Sequence, residues 1–310
     1  MDETTAQTIR TPGETAGYLD LPELAVIPSS RKELRMPGGL LNMRLVIRIK
    51  RPKRALTHSG PEPAGAEDTI TWRPRAPRDR VELVTWQRKT SQAAEAFRSV
   101  VSAILAPPSG IGRARVLVIT SPSAMEGKST VACNLAIALA GEHPDVLLLD
   151  ADSRSPALHR IFNVPNDWGL RDLLREKRPV LYLPAGALAR RTALPGLRLL
   201  PHGSCPEGGV ESLVSDRFPE LILRCRRLFH TVVIDAAPLL QSPETTWLAR
   251  LADGVILVVR ADQTRHQEAL RAAQMLRADG IRVIGTILND WDPRSSGGQE
   301  PARCRFDPGE

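Results

Sequence analysis

The sequence lacks the features that mark membrane-spanning, secreted or metal-clustering proteins. No apolar run approaches the roughly 18 residues needed to cross a bilayer, and the first ten residues lack the basic start and apolar segment of a signal peptide. The cysteines Cys133, Cys205, Cys225 and Cys304 show no paired metal-ligand spacing. We therefore expect a soluble cytoplasmic protein with reduced thiols.

Aromatic residues are also scarce, at 4% of the chain, so the core must be built from Leu, Val, Ile and Ala. The formal net charge is +7 over 310 residues. This charge suits an acidic partner such as a nucleotide or an anionic lipid, but it is modest for a chain of this length. We expect no nucleic-acid partner.

The first 85 residues are rich in proline, glycine and charge, which predicts a flexible, juxtamembrane-like linker over residues 1–85. Within it, the apolar patch LPELAVIP (residues 21–28) predicts docking on a membrane-embedded partner. A basic stretch over residues 44–54 fits either a solvated tail or contact with an anionic membrane face. A helical period then predicts a helix over residues 91–105, ended by Pro107 and Pro108.

Beyond residue 115 strand and helix patterns alternate, which predicts an α/β fold. The apolar runs VLLLD, TVVID and GVILVV do not alternate with polar residues, so a mostly parallel sheet covered on both faces by helices is expected. We assign residues 86–290 to this P-loop domain and residues 291–310 to a disordered tail. The predicted strands are 116–120, 146–150, 197–200, 231–235, 254–260 and 281–288; the predicted helices are 128–141, 210–228, 243–252 and 265–278.

Residues 116–140 combine a buried-strand pattern, a turn with Gly-Lys-Ser and an amphipathic helix, which together are typical of a nucleotide phosphate site. Backbone N–H groups of the turn and the helix N-terminus would surround the phosphates. The strict glycine pattern is not met, because Pro122 takes the first glycine position and Met125 restricts the turn backbone. The candidate nucleotide-binding residues of the turn are Ser123, Ala124, Met125, Glu126, Gly127, Lys128, Ser129 and Thr130.

Two of the apolar strands carry carboxylates at their carboxyl ends. The first ends with Asp150 and Asp152, followed by Arg154, and the second ends with Asp235. Ligands of parallel sheets bind beyond these ends, and phosphoryl transfer uses a magnesium ion held by carboxylates. Such residues are often helix caps, but two such strands beside Gly-Lys-Ser favour a site for ATP and Mg²⁺.

These three elements, in this order and spacing, resemble the bacterial tyrosine kinases of capsule and exopolysaccharide biosynthesis. The likeness extends over about residues 88–290 and includes the motif Asp-x-Asp-x-Arg at Asp150, Asp152 and Arg154. It also includes the segments EAFRS, GLRDLL, LLPHG, ADGVILVVRADQTR and GTILN. The resemblance implies an ATP-dependent protein-tyrosine kinase that acts in polysaccharide export.

The resemblance also implies a role for each matching residue. Lys128 and Ser129 would bind phosphate and Mg²⁺, and Asp152 and Asp235 would hold the waters of the metal. Ser129, Asp152 and Asp235 are thus the candidate metal residues.

Three further residues take roles from the resemblance. Asp150 would orient or deprotonate the attacking hydroxyl, and Arg154 would steady the transferred phosphate. Asn289 is a candidate for the loop that binds the base, although an Asn after a strand is commonly a turn residue.

The upstream segment GYLDLPELAVIP resembles the cytosolic segment that joins a transmembrane chain-length regulator to its kinase domain in fused members of the family. The membrane part is not in this sequence, so we expect it as a separate protein. The partners implied are this membrane-embedded polysaccharide chain-length regulator, protein substrates with tyrosine, and further copies of the chain. Peripheral association with the inner face of the cytoplasmic membrane would follow.

Two departures from the family pattern bear on activity. The family's Glu-x-x-Arg-x-x-Arg motif, which builds a ring of subunits, is met by Glu95 and Arg98, but its third position is Val101, which predicts altered ring contacts. The family's tail carries a tyrosine cluster, whereas the tyrosines here are Tyr18 and Tyr182. We expect Tyr18 in the flexible leader and Tyr182 partly buried, so neither is predicted to accept phosphate efficiently.

Two alternatives remain open. The absence of tail tyrosines favours an ATP-binding regulatory or scaffold subunit of a polysaccharide export system. A positioning ATPase like MinD or ParA would share the fold, but the signature lysine of that class corresponds to Ser123 here. Its second motif also tends to read Asp-x-Asp-Pro.

Overall fold

The computed structural model describes residues 7–29, 83–106, 114–183, 185–204 and 213–293. The basic stretch at residues 44–54 and residues 294–310 of the predicted tail lie outside these ranges. Within them, no helix is both long enough and apolar enough to cross a membrane.

Eight strands in the described part of the chain form one sheet in the order β1-β8-β7-β2-β6-β3-β5-β4. Neighbouring strands are parallel except for β4 and β5, which are antiparallel. The predicted mostly parallel sheet is confirmed. The strands are β1 (Glu23–Pro28), β2 (Val116–Thr120), β3 (Val146–Ala151), β4 (Arg190–Arg191), β5 (Leu197–Leu200), β6 (Thr231–Ala236), β7 (Gly254–Arg260) and β8 (Val283–Trp291).

Four of the five helices with predicted bounds begin and end within two residues of them. The exception is α8, which begins at Arg217 rather than at residue 210, because Pro219 is tolerated only in the first turn of a helix. The helices are α1 (Glu14–Leu19), α2 (Val84–Gln87), α3 (Gln92–Leu105), α4 (Lys128–Glu142), α5 (Leu158–Ile161), α6 (Leu170–Arg175), α7 (Ala185–Leu188), α8 (Arg217–Leu228), α9 (Pro243–Leu251) and α10 (His266–Ala278).

The central strands β2, β3 and β6 are buried at every residue, which explains their unbroken apolar sequences. Alternate residues of these strands share a core with α6, α8, α9 and α10. The residues between them point to the opposite face of the sheet, where α4 packs against the same three strands and α3 packs against α4. The sheet is therefore covered by helices on both faces, and its carboxyl ends meet at one edge.

The N-terminal segment is part of this fold, so the linker prediction is wrong for residues 7–29. Strand β1 pairs in parallel with β8, with Glu23 opposite Thr286, and α1 packs against α10. Leu21 and Ile27 of the apolar patch are buried. The patch thus pairs with the chain's own sheet and buries two of its side chains there, so the patch is part of the fold and not an apolar segment of a linker.

The two tyrosines also differ from expectation. Tyr18 lies in α1 with its ring edge-on to His266, at a centroid distance of 4.7 Å. Tyr182 ends a short 3-10 helix, Val180–Tyr182, and is 78% exposed. The apolar side chain that this turn buries is Val180. The prediction that Tyr182 is partly buried is therefore wrong.

The packing of helix α3 explains why Val101 stands where the family's ring motif has its second arginine. Glu95 and Arg98 form an exposed ion pair on one side of the helix, whereas Val101 is 3% exposed and packs inward with Val100 and Ile104. An arginine at position 101 would place a charge in this core at a large desolvation cost. The third position of the ring motif is apolar here because it faces the interior.

Candidate nucleotide and magnesium site

The turn between β2 and α4 has two residues in the left-handed backbone region. Gly127, directly before α4, has φ +88, and a Cβ on it would lie 2.1 Å from Nδ2 of Asn289. Met125 has φ +67 although it is not glycine, at a cost of about 1 kcal/mol. The side chain of Met125 is 77% exposed. The turn therefore keeps a glycine-like path at Met125 and requires glycine at position 127.

Lys128, the first residue of α4, points at the carboxyl ends of two strands. Its ammonium forms an ion pair with Asp152, lies 3.8 Å from Oδ1 of Asp235, and donates a hydrogen bond to Oγ of Ser129 at 3.3 Å. Asp150 and Asp235 are register partners on the neighbouring strands β3 and β6. The structure therefore brings the predicted lysine, hydroxyl and carboxylates together at one edge of the sheet.

The pKa values in this cluster follow from burial and from the charges around it. Burial raises the pKa of Asp150 well above its usual value, and the nearby Asp235 carboxylate raises it further. Burial also raises the pKa of Asp235, although the Lys128 ammonium opposes this shift. Burial alone would lower the pKa of Lys128, but Asp235 and Asp152 raise it above its ordinary value. The lysine thus stays charged in a buried, acidic setting.

Both carboxylate oxygens of Asp235 are buried without a hydrogen-bond partner, which is costly unless another group completes the site. Mg²⁺ usually keeps several waters and is held by one or two carboxylates together with substrate phosphates. Among the described residues, no group of three or more His, Cys, Asp or Glu side chains is placed to hold a metal ion. Asp235, Asp152 and the Ser129 hydroxyl therefore fit a hydrated Mg²⁺ bound with a nucleotide.

Asp150 is occupied by its own loop. One oxygen accepts hydrogen bonds from the N–H groups of Ala157 and Leu158, at 3.1 and 3.0 Å, and the other accepts one from the N–H of Asp152 at 3.3 Å. The residue is fully buried. Three backbone donors thus hold the Asp150 carboxylate at the start of α5, and its expected role toward an attacking hydroxyl stays a prediction.

Asp152 and Arg154 do reach the surface of a cleft beside the turn. Asp152 accepts hydrogen bonds from the N–H groups of Arg154 and Ser155, both at 3.1 Å, and the Arg154 guanidinium donates to the Gln241 carbonyl. The cleft has a volume of about 410 Å³, within the range of small-molecule sites. Its lining is Ala124, Met125, Gly127, Lys128, Ser129, Thr130, Asp152, Arg154, Ser155, Ala157, Pro238, Gln241 and Arg260.

Asn289 and Arg260 hold the turn by its backbone carbonyls. The Asn289 amide donates to the Glu126 carbonyl at 3.0 Å, and the Arg260 guanidinium donates to the Met125 carbonyl at 2.8 Å. Arg260 is fixed in turn by Asp290, at 3.1 and 2.6 Å. In this structure Asn289 supports the phosphate turn rather than lining the cleft. Sequence reasoning missed Arg260, although a cation directly after the apolar run of β7 is a usable signal.

The remaining predicted residues of the turn divide between its inner and outer sides. Ala124 and Thr130 line the cleft. Ser123 and Glu126 face each other, since the Ser123 N–H donates to the buried Glu126 carboxylate at 2.9 Å. These two residues therefore shape the turn from within.

Comparison with known proteins defines the class of the chain. Residues 117–303 match the CobQ/CobB/MinD/ParA nucleotide binding domain. The kinase domain of Escherichia coli tyrosine kinase ETK superposes with a TM-score of 0.69 over 95% of this chain and 99% of that domain. At 21% identity this likeness shows a shared fold. The chain is a P-loop nucleotide-binding protein of the CobQ/CobB/MinD/ParA class.

Relatives of higher sequence identity show to which family within this class the chain belongs. Tyrosine-protein kinase YwqD of Bacillus subtilis is 31% identical over 173 residues, which cover 56% of this chain and 71% of YwqD. The kinase domain of VpsO is 30% identical, with a TM-score of 0.57 over 64% of this chain and 95% of that domain. Within its class, the chain belongs to the bacterial tyrosine kinase family.

Other relatives are much longer than the matched region. Tyrosine-protein kinase wzc of Salmonella typhimurium is 32% identical over 185 residues, which cover 60% of this chain and 25% of wzc. The chain thus spans about a quarter of the length of this relative.

Proposed function

We propose that the chain is an ATP- and Mg²⁺-dependent protein-tyrosine kinase that acts in capsule or exopolysaccharide biosynthesis and export. The observation that carries the proposal is the ion cluster of Lys128, Asp152 and Asp235 at the start of α4, beside a cleft of nucleotide size. The names of the relatives support tyrosine as the acceptor, since YwqD and wzc are both called tyrosine-protein kinases.

The roles follow from where each group lies. Lys128 and the turn would neutralise the outer phosphates, and Ser129, Asp152 and Asp235 would hold Mg²⁺ and its waters. When bound, Mg²⁺ supplies charge neutralisation and orients the phosphates. Arg154 stands exposed at the cleft, where a guanidinium would steady the transferred phosphate.

Asp152 supplies a carboxylate to the lining of the cleft, and in our proposal it holds the waters of the metal. Asp150, which the resemblance assigns to the attacking hydroxyl, would act by positioning the loop that carries Asp152, through the bond from the Asp152 N–H. In this proposal the positioning role replaces the role that the resemblance implied for Asp150.

The proposed partners are a membrane-embedded polysaccharide chain-length regulator, protein substrates with tyrosine, and further copies of the chain. The exposed Glu95 and Arg98 on α3 support contact between copies, because they match two positions of the ring motif. The relatives EpsB and CapB are both named as putative tyrosine-protein kinases, which supports the same class of activity for this chain.

A regulatory or scaffold subunit that binds ATP without phosphorylating protein is the second candidate. The observation in its favour is that residues 291–310 contain no tyrosine. A positioning ATPase is weaker, because Ser123 stands at the position of the signature lysine of that class.

One experiment separates these candidates. The full chain is incubated with Mg-ATP and a tyrosine-containing copolymer, and phosphotyrosine is measured by mass spectrometry beside Lys128→Ala. A kinase phosphorylates the copolymer, and Lys128→Ala loses both phosphorylation and Mg-ATP binding. Mg-ATP binding without any phosphotyrosine would favour the scaffold, and unchanged binding by a folded Lys128→Ala would exclude the site.

A further inference from the structure

Glu126 is a carboxyl group inside the phosphate turn that the proposed reaction does not use. It is 1% exposed and does not line the cleft. Its carboxylate oxygens accept one hydrogen bond from the Ser123 N–H at 2.9 Å and one from Oγ of Thr264 at 2.6 Å. A buried acid between two donors links the turn to a segment 138 residues away in the sequence.

Thr264 is itself firmly held. It lies in the loop between β7 and α10, and its hydroxyl accepts a hydrogen bond from the Arg260 N–H at 2.7 Å. Its own N–H donates to the Arg260 carbonyl at 2.9 Å. The hydroxyl therefore has a fixed direction, with its lone pair on Arg260 and its hydrogen on Glu126. The Glu126 carboxylate therefore accepts its hydrogen bond from a hydroxyl that is held in a fixed position.

The same side of the turn is tied at two further points. The Met125 and Glu126 carbonyls accept hydrogen bonds from Arg260 and Asn289, respectively. These contacts offset the cost of the left-handed backbone at Met125 and fix the peptide planes of the turn. A phosphate-binding turn gains affinity when its backbone N–H groups are already oriented before the ligand arrives. The hydrogen bonds from Arg260 in β7, Asn289 in β8 and Thr264 in the β7–α10 loop hold the backbone of the turn in this way.

We propose that Glu126 is a positioning residue for nucleotide binding: its buried carboxylate ties Ser123 of the phosphate turn to Thr264, and this link orders the turn for the nucleotide phosphates. The inference rests on the proposed nucleotide site. It assigns Glu126 and Thr264 a function although neither touches the cleft.

The test measures Mg-ATP affinity by calorimetry at pH 8, together with the melting temperature, for variants at both ends of the link. We expect Glu126→Gln and Thr264→Val each to weaken Mg-ATP binding about tenfold, the effect of one lost hydrogen bond. Thr264→Ser keeps the hydroxyl and should bind as the unmodified chain does. The double variant Glu126→Gln/Thr264→Val should bind no more weakly than the weaker single variant, because both changes break the same link.

Thr286→Val is the matched control. The Thr286→Val change also removes a buried hydroxyl hydrogen bond, the one from Thr286 to Thr15 at 2.9 Å, and this bond does not involve the phosphate turn. The control should lower the melting temperature and keep the affinity.

Three outcomes separate the possibilities. If Glu126→Gln and Thr264→Val bind Mg-ATP normally while Lys128→Ala does not, the positioning role is overturned and the nucleotide site stands. Equal weakening by Thr286→Val would show a general loss of stability and would also overturn it. If Lys128→Ala binds normally, the proposed nucleotide site fails instead.

Discussion

The Asn289 amide occupies the space that a side chain on Gly127 would need, with Nδ2 only 2.1 Å from the position of a Cβ there. The same amide holds the Glu126 carbonyl. The residue that supports the turn thus also restricts position 127 to glycine.

We therefore expect Gly127→Ala to lower both the stability of the fold and the affinity for Mg-ATP. The left-handed backbone and the clash with Asn289 together should lower the free energy of unfolding by about 2 kcal/mol or more, and Mg-ATP affinity should fall sharply. Gly127→Ala/Asn289→Ala removes the clash but keeps the unfavourable φ, so stability should recover only in part. Urea denaturation and calorimetry measure both effects. Full recovery in the double variant would show that φ is not a constraint.

Asp235→Asn should separate metal dependence from folding. The side chain fits its site sterically, but the amide no longer attracts the waters of Mg²⁺, so the gain in ATP affinity on adding Mg²⁺ should shrink about tenfold. The check is ATP titration with Mg²⁺ and with chelator. Asp253→Asn is the control, because Asp253 lies at the opposite end of the strands and binds Arg226. An undiminished Mg²⁺ effect in Asp235→Asn would contradict the assignment.

Glu126 should make stability depend on pH. Burial raises its pKa to about 7, although the bonds from Thr264 and Ser123 oppose the shift and Glu268 adds to it. Between its usual pKa of 4.5 and 7 the folded chain holds a proton that the unfolded chain has released. Stability from this group is therefore complete below 4.5 and is lost as the pH rises through 7.

The measurement is urea denaturation across this pH range for the unmodified chain and for Glu126→Gln. The difference between their free energies of unfolding should change by about 3 kcal/mol from pH 4.5 to 7 and stay level above. Parallel curves for the two proteins would show that Glu126 keeps an ordinary pKa.

The N-terminal strand should be required for a stable sheet. Deleting residues 1–28 removes the buried Leu19, Leu21 and Ile27 and should lower the free energy of unfolding by about 3 kcal/mol or more. The freed edge of β8 should also promote aggregation. Denaturation and light scattering test this, with deletion of residues 1–6 as the control. An equally stable, monodisperse deletion would mean that β1 is dispensable.

Of the two tyrosines, Tyr182 should be the one that accepts phosphate. Tyr182 is 78% exposed, whereas Tyr18 is 39% exposed and its ring packs edge-on against His266. Incubation with Mg-ATP followed by intact-mass measurement should show at most one phosphate, absent in Tyr182→Phe and kept in Tyr18→Phe. Phosphate retained in Tyr182→Phe would place the acceptor elsewhere.

Much of the fold follows from local sequence. The central strands could be predicted because both faces of the sheet are buried: Val116 and the next residue, Leu117, are both 0% exposed, which leaves unbroken apolar runs. The meeting of Lys128 with Asp152 and Asp235 follows from the rule that parallel strands end at one edge.

The remainder depends on contacts between distant segments. Strand β1 reads as linker because its partner β8 lies at the other end of the sequence. The partners of Asp150 depend on the path of the loop before α5, and the grip of Arg260 on Met125 depends on how β7 lies beside β2. The apolar neighbours of Tyr182 led to the prediction that it is partly buried, but the residue of this segment that is buried is Val180.

The pairing of β1 with β8 also has a consequence for the order of folding. Thr15 and Thr286 share a hydrogen bond although they lie 271 residues apart. A contact of this span carries a large loop-closure cost. During synthesis residues 14–28 emerge well before their partner strand β8 is made. The segment must therefore wait outside the growing sheet while the rest of the nucleotide domain assembles, and it should dock as one of the final steps.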